Sequence, residues 1–162
     1  MLETLTGALV EAISTADDRR EWAASRPSRS VPSVRAAVQP PRAWRAFAEC
    51  VLRRESGATL DRQQSGVGAR NTSSSASGRW QMLDASGWRD GGAWNVQKRL
   101  VRFGATRAQA REVRVYLQRT PIYRWNGIWQ DMAAFEALQS GGWRHWYAPG
   151  SPCNDLVPAG AR

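Results

Sequence analysis

The run Trp44-Arg45-Ala46-Phe47-Ala48-Glu49-Cys50-Val51-Leu52-Arg53-Arg54-Glu55-Ser56-Gly57 decides how the rest of the chain is read. Trp44, Phe47, Ala48, Val51 and Leu52 recur three and four positions apart, which lays them on one face of a helix. Pro40-Pro41 precedes this helix, and Gly57 supplies the residue best suited to end it. Glu55 therefore falls in the last turn, where the negative end of the helix dipole disfavours a second negative charge. That field, with partial burial, predicts a raised pKa and a carboxyl that keeps its proton near neutrality. Such a carboxyl is equipped for general acid catalysis. Arg53 and Arg54 would act in the opposite sense if they turned toward it, and a solvated glutamate paired with arginine is the plain alternative.

Working outward, Leu2, Leu5, Leu9 and Ile13 recur at helical spacing with Ala8, Ala12 and Ala16 beside them, predicting an amphipathic helix over about residues 2–23. Residues 24–41 carry four prolines among Ser and Arg and read as a linker arm. Past Gly57, residues 56–79 are rich in Ser, Gly, Asn and Thr and fit turns with a short hairpin. Residues 80–94 read as loops and a short helix, and residues 95–103 as a helix ended by Gly104. Thr106 with Gln109 is a capping-box pattern opening a helix to about Arg119. Pro121 breaks the pattern, and a last helix runs from Trp125 to Leu138 before Gly141-Gly142. The expected fold class is α+β, mostly α. An N-terminal helix and Pro/Arg-rich arm (1–41) precede one compact domain (42–162).

The 162 residues are 42% hydrophobic, enough for a real core. No apolar run is long enough to span a bilayer, and Met1 to Val10 lack the basic start and apolar stretch of a secretory signal. Net charge is +9, and residues 42–162 carry all of the excess, 18 basic against 9 acidic groups. Such a domain is drawn to a polyanion, whether nucleic acid, an anionic membrane face or an anionic wall. Lys98 is the only lysine and His145 the only histidine. With two cysteines and one histidine there is no four-ligand zinc set, so neither metal nor cofactor is expected. Cys50 and Cys153 bracket the domain and are read as two buried thiols or as one bond.

Trp44, Cys50 and then Glu55-Ser56-Gly57 resemble the opening of the resuscitation-promoting-factor and transglycosylase-like group of the lysozyme superfamily. Ser75-Ala76-Ser77-Gly78-Arg79-Trp80-Gln81-Met82-Leu83 is similar to that group's second motif, and Ser86-Gly87-Trp88 follows in the expected place. Trp129-Gln130-Asp131, Ala133-Ala134, Gly141-Gly142, Trp143 and Trp146 resemble the closing helix of related phage and actinobacterial domains. The resemblance covers about residues 42–155. Arg79, where the group prefers an apolar residue, and Gly87, where it often has Thr, depart from it. So do the five positions separating Cys50 from Glu55, which put the cysteine about one turn deeper. Residues 95–125 are longer and more basic than the resemblance explains.

The resemblance implies a lysozyme-like domain in which Glu55 protonates a glycosidic oxygen of peptidoglycan. Either the sugar's C6 hydroxyl or water then attacks, so lytic transglycosylase and muramidase both stay open. A second carboxylate, as a two-carboxylate glycosidase requires, could come only from Asp61 or Asp84, neither in a persuasive context. The implied substrate-binding residues are Ser56, Trp80, Gln81, Trp88, Gln130 and Trp143, and the resemblance favours a Cys50–Cys153 disulfide. Trp94 and Trp146 also sit among Gly and polar residues and are candidates for sugar stacking, whereas Trp44 and Trp129 belong to a core. Without an export signal, the expected setting is a phage particle or another extracytoplasmic site, with residues 1–41 docking to an assembly partner. A structural virion component with an inactive fold and a basic nucleic-acid-binding protein are the alternatives.

Overall fold

The computed structural model describes residues 34–84 and 87–161. The amphipathic helix expected over 2–23 and most of the arm lie outside the described residues. Four helices carry the structure: α1 (Arg45–Ser56), α2 (Trp88–Arg102), α3 (Arg107–Gln118) and α4 (Gly127–Gln139). Between α1 and α2 lies one antiparallel pair of two-residue strands, β1 (Ala76–Ser77) and β2 (Met82–Leu83), in the register Ala76 to Leu83 and Ser77 to Met82. A single bridge from Arg70 to Ser77 extends this hairpin on its other edge. The chain is thus mostly helical with one small sheet, whose second strand lies past the 56–79 stretch expected to hold the hairpin.

Helix α1 buries Phe47, Ala48, Val51 and Leu52 and stops at Gly57, which takes the left-handed φ of 70°. Helix α3 opens on the capping box: Thr106 Oγ1 accepts from the Gln109 amide, and Gln109 Oε1 accepts from the Thr106 amide. Helix α4 starts two residues later than expected, because Asn126 Oδ1 accepts the Ile128 amide and so fixes the N-cap. Every α4 residue from Gly127 to Leu138 is buried, so this helix has no solvent face and forms the axis on which α2 and the closing turn Gly142–Trp146 pack.

Helix α2 corrects the expectation for residues 80–94. It begins at Trp88, not at 95, and runs unbroken through Gly91 and Gly92. Those glycines read as a loop, yet a Cβ on Gly92 would lie 3.2 Å from Trp125 Cη2. The missing side chain lets the helix come close to that indole, so Gly92 marks packing and not a break.

Part of the arm before residue 42 packs on α2. Residues Val34–Ala37 form a single helical turn, and Ala37 is 1% exposed. The guanidinium of Arg99, itself buried in α2, donates from Nε to the Ala37 carbonyl and from Nη2 to the Gln39 carbonyl at 2.7 Å. The packed body therefore reaches back into the arm. A chain begun at residue 42 should be about 2–4 kcal/mol less stable than one begun at residue 34, since it loses two hydrogen bonds from a charged group and the burial of Ala37. Equal denaturant midpoints for the two would show that the contact contributes nothing.

Cys50 on α1 and Cys153 in the turn Pro152–Leu156 are disulfide-bonded, with Cα atoms 5.6 Å apart. Among the described residues no helix is long and apolar enough to cross a membrane.

Glycines at the hairpin and at the end of α1 give a second stability test. Gly57 and Gly78 both have positive φ, 70° and 77°, but only Gly78 is crowded: a Cβ there would lie 2.2 Å from Gln130 Oε1, whereas nothing lies within 4 Å of one on Gly57. Gly57→Ala should cost about 1–2 kcal/mol for its backbone alone. Gly78→Ala should cost at least about 2 kcal/mol more, because the buried Gln130 amide must move from its partners. Chemical denaturation of both variants measures the difference, and equal losses would remove the role given to Gln130.

Candidate functional site

Under the hairpin lies a buried polar assembly that holds the site's frame. Arg79 is 0% exposed and its Nε lies 2.8 Å from Asp131 Oδ1 on α4. Its Nη1 donates to the carbonyls of Arg62 and Ser65, and its Nη2 to that of Thr59. The indole Nε1 of Trp80 also donates to Asp131 Oδ1, at 2.7 Å. Burial pushes the Asp131 carboxyl up to about 7, against the opposing pulls of Arg79 and Trp80. Gln130, also fully buried, accepts the Arg79 amide on Oε1 and donates from Nε2 to the carbonyls of Val67, Ile122 and Trp125. Loop 59–67, hairpin and α4 are locked together by these two side chains.

This geometry corrects several of the expected ligand residues. Trp80 and Gln130 are 0% exposed and fully engaged within the protein, so neither side chain is available to a substrate. Trp143 is buried, with Nε1 donating to the Ala161 carbonyl, and Trp146 is buried, with Nε1 donating to the Trp80 carbonyl. The Ser56 hydroxyl donates to the Arg79 carbonyl at 2.7 Å and so braces the hairpin against the end of α1. Trp94 is 44% exposed but sits on the outer part of α2, with the Arg114 guanidinium over its ring. Arg79, which interrupted the apolar pattern of its motif, belongs to the core because Asp131 and three loop carbonyls meet it there.

Glu55 stands at the end of α1 with its side chain 24% exposed. Arg54 turns onto it: Nε and Nη2 both donate to Glu55 Oε1, the former at 2.9 Å. The helix-end field is thus answered by a guanidinium, the arrangement the sequence offered as the alternative. Among the described residues both contacts fall on Oε1 and none on Oε2. Arg54 also donates to the Trp146 carbonyl and to Ser151 Oγ, both on the C-terminal segment that Cys153 ties to Cys50.

A small hollow of about 90 Å³ is lined by Gln81, Met82, Leu83, Trp88, His145 and Trp146. Of the expected ligand residues, Gln81 and Trp88 line it. Gln81 is non-glycine with a φ of 48°, and its Nε2 donates to the Gly78 carbonyl at 3.0 Å, so the hairpin turn fixes it in an unfavoured conformation. The Trp88 ring meets that of His145 edge-on at 4.3 Å, and burial lowers the His145 pKa. Trp146 is the joint: its carbonyl reaches Arg54 beside Glu55, and its indole lies in the wall of the hollow.

Three further carboxylates have neighbours of their own. Asp84 takes Arg89 Nε at 2.9 Å and the Ile122 amide at 3.0 Å, while Asp61, with its side chain 90% exposed, lies 3.8 Å from Arg45. Glu49 accepts the Leu60 amide and pairs with Arg53. Arg54 and Ser151 were not singled out as site residues. Arg54 carried a signal in its place next to Glu55, whereas Ser151 had none, since only the fold brings it 97 residues back to α1.

No family model, curated protein or solved structure matches the chain.

The bond between Cys50 and Cys153 spans 103 residues. A Cys50→Ser/Cys153→Ser chain should therefore lose about 4 kcal/mol of unfolding free energy, with reductant reproducing the loss in the wild type. A change below about 1 kcal/mol would mean that the C-terminal segment is held by its other contacts alone.

Proposed function

We propose that the chain cleaves the glycan strands of peptidoglycan, with Glu55 as its single catalytic acid. The observation that carries this reading is a partly exposed helix-end glutamate with one engaged oxygen, coupled through Trp146 to a hollow walled by Gln81, Trp88 and His145. Glu55 Oε2 gives its proton to the bridging oxygen as the bond to the anomeric carbon breaks. The carboxylate left behind keeps Arg54 beside Oε1. In the transglycosylase course the same carboxylate takes the proton of the sugar's C6 hydroxyl as that oxygen bonds to the anomeric carbon, closing a 1,6-anhydro ring and restoring the acid. In the muramidase course water replaces the C6 hydroxyl.

The hold of Arg89 and the Ile122 amide on Asp84 supports the single-glutamate course, and with it the transglycosylase. Trp88 offers an indole to a sugar's apolar face, and Gln81 an amide to its hydroxyls. Carriage on a phage particle, with residues 1–41 docking to its assembly, is the setting we propose from the sequence. A second reading, an inactive lysozyme-like component of such a particle, draws support from the direct hold of Arg54 on Glu55.

Mass spectrometry of purified peptidoglycan digested by the wild type and by Glu55→Gln separates these readings. The wild type should release fragments bearing 1,6-anhydro ends, and the variant, which keeps shape but loses the transferable proton, should fall by at least about 100-fold. Fragments with reducing ends would assign the muramidase course. No release by a folded wild type would sink the enzymatic reading. More than a tenth of wild-type release by Glu55→Gln would remove Glu55 as the acid.

A further inference from the structure

The basic segment beyond the hollow has a defined place in the fold. Between Trp88 and Arg119 the chain carries eight basic residues and two acidic ones. Some of that charge is internal: Arg99 is buried, and Arg102 donates to Glu136 on α4. Arg89 pairs with Asp84 and Arg119 caps the end of α3, which leaves Lys98, Arg107, Arg111 and Arg114 on the α2–α3 pair. Arg107, Arg111 and Arg114 follow one another at spacings of four and three, so they share a face of α3. Arg114 stitches that face to α2, with its guanidinium 4.0 Å from the Trp94 ring centroid, Nε on Gln97 Oε1 and Nη1 on Gln118 Oε1. Lys98 lies on α2 one residue past Gln97. Lys98, Arg107 and Arg111 are exposed, and among the described residues no hydrogen bond or ion pair engages them. Asp90, exposed in the first turn of α2, is the acidic group on this side.

This strip leads away from the hollow. Helix α2 starts at Trp88 in its wall and extends over 15 residues, about 22 Å at 1.5 Å per residue. Lys98 lies ten residues past Trp88 on the same helix, so the strip begins roughly 15 Å from the wall of the hollow. Guanidinium groups in a row favour phosphate, whose oxygens they bind in pairs. A nucleic acid would also need open aromatic faces for its bases. Trp94, 44% exposed, has the Arg114 guanidinium over one face of its ring, and Tyr116 points about 200° away from Arg114 around α3, so the strip presents at most a single half-covered indole to a base.

We infer that the α2–α3 face binds a linear, base-free phosphodiester polymer of a cell wall and holds it beside the hollow. The nature of the polymer rests on the peptidoglycan reading; the surface itself does not. The test uses the full chain, a Lys98→Gln/Arg107→Gln/Arg111→Gln variant, and soluble poly(glycerol phosphate), a probe without glycan. A single-stranded oligonucleotide of equal charge is the comparison, and calorimetric titration at about 50 mM salt is the measurement. The wild type should bind poly(glycerol phosphate) at least as tightly as the oligonucleotide, and the triple variant should bind it roughly 100-fold more weakly with an unchanged melting temperature.

If the triple variant melts lower, Arg111→Gln alone should still weaken binding about fivefold. Absence of wild-type binding, or equal binding by wild type and variants, overturns the inference. Binding of the oligonucleotide tenfold tighter than the phosphodiester polymer assigns the face to nucleic acid and overturns it as well. Glu55→Gln should bind like the wild type, so failure of the cleavage reading leaves this result readable on its own.

Discussion

Everything near the candidate site hangs from the contact between Arg79 and Asp131. A charge carried into the interior must find partners there, because transfer from water costs several kcal/mol per ion. Arg79 finds them in four places at once, an acid on α4 and the carbonyls of Thr59, Arg62 and Ser65. The segment from 59 to 67 has no regular structure to satisfy its backbone, and the guanidinium does for it what a neighbouring strand would do. Removing either charge would leave the other buried and unpaired, which is more damaging than never having placed the pair. The hairpin is fixed by the same device, since the backbone of Arg79 is held by Gln130 and by Ser56.

From that frame the geometry of Glu55 follows by short steps. Ser56 is pinned to the hairpin, so the end of α1 cannot drift from Gln81 and its hollow. On the other side, the disulfide brings the C-terminal segment to α1, and Arg54 reads its position through Trp146 and Ser151. The orientation of one carboxylate thus depends on groups from residue 50 to residue 153, and no single element owns it.

Legibility in the sequence followed the range of the interaction. The stop at Gly57 and the capping box at Thr106 and Gln109 are local, and both could be read directly. The start of α2 could not, because Gly91-Gly92 carries the same local signal whether it breaks a helix or admits Trp125. Strands of two residues are too short to show alternation, so only the density of turn residues hinted at the hairpin. The burial of Trp80, Gln130 and Trp143 could not be read from residue type, which does not say which way a side chain faces. The partial exposure of Glu55, Gln81 and Trp88 follows from their place beside a helix end or tight turn.

The all-round burial of α4 bears on how the molecule is made. Its cover comes from both sides of the chain, from Trp80 and α2 before it and from Trp143 and Trp146 after it. During synthesis the helix emerges with the part of its cover that Trp143 and Trp146 supply still to be translated, and that side of it stays open until the segment arrives. The last contacts to form span most of the domain, a topology that slows folding and lengthens the exposure of sticky surface. Aggregation during that interval, and not the stability of the finished fold, is the hazard such a helix brings to its own biogenesis.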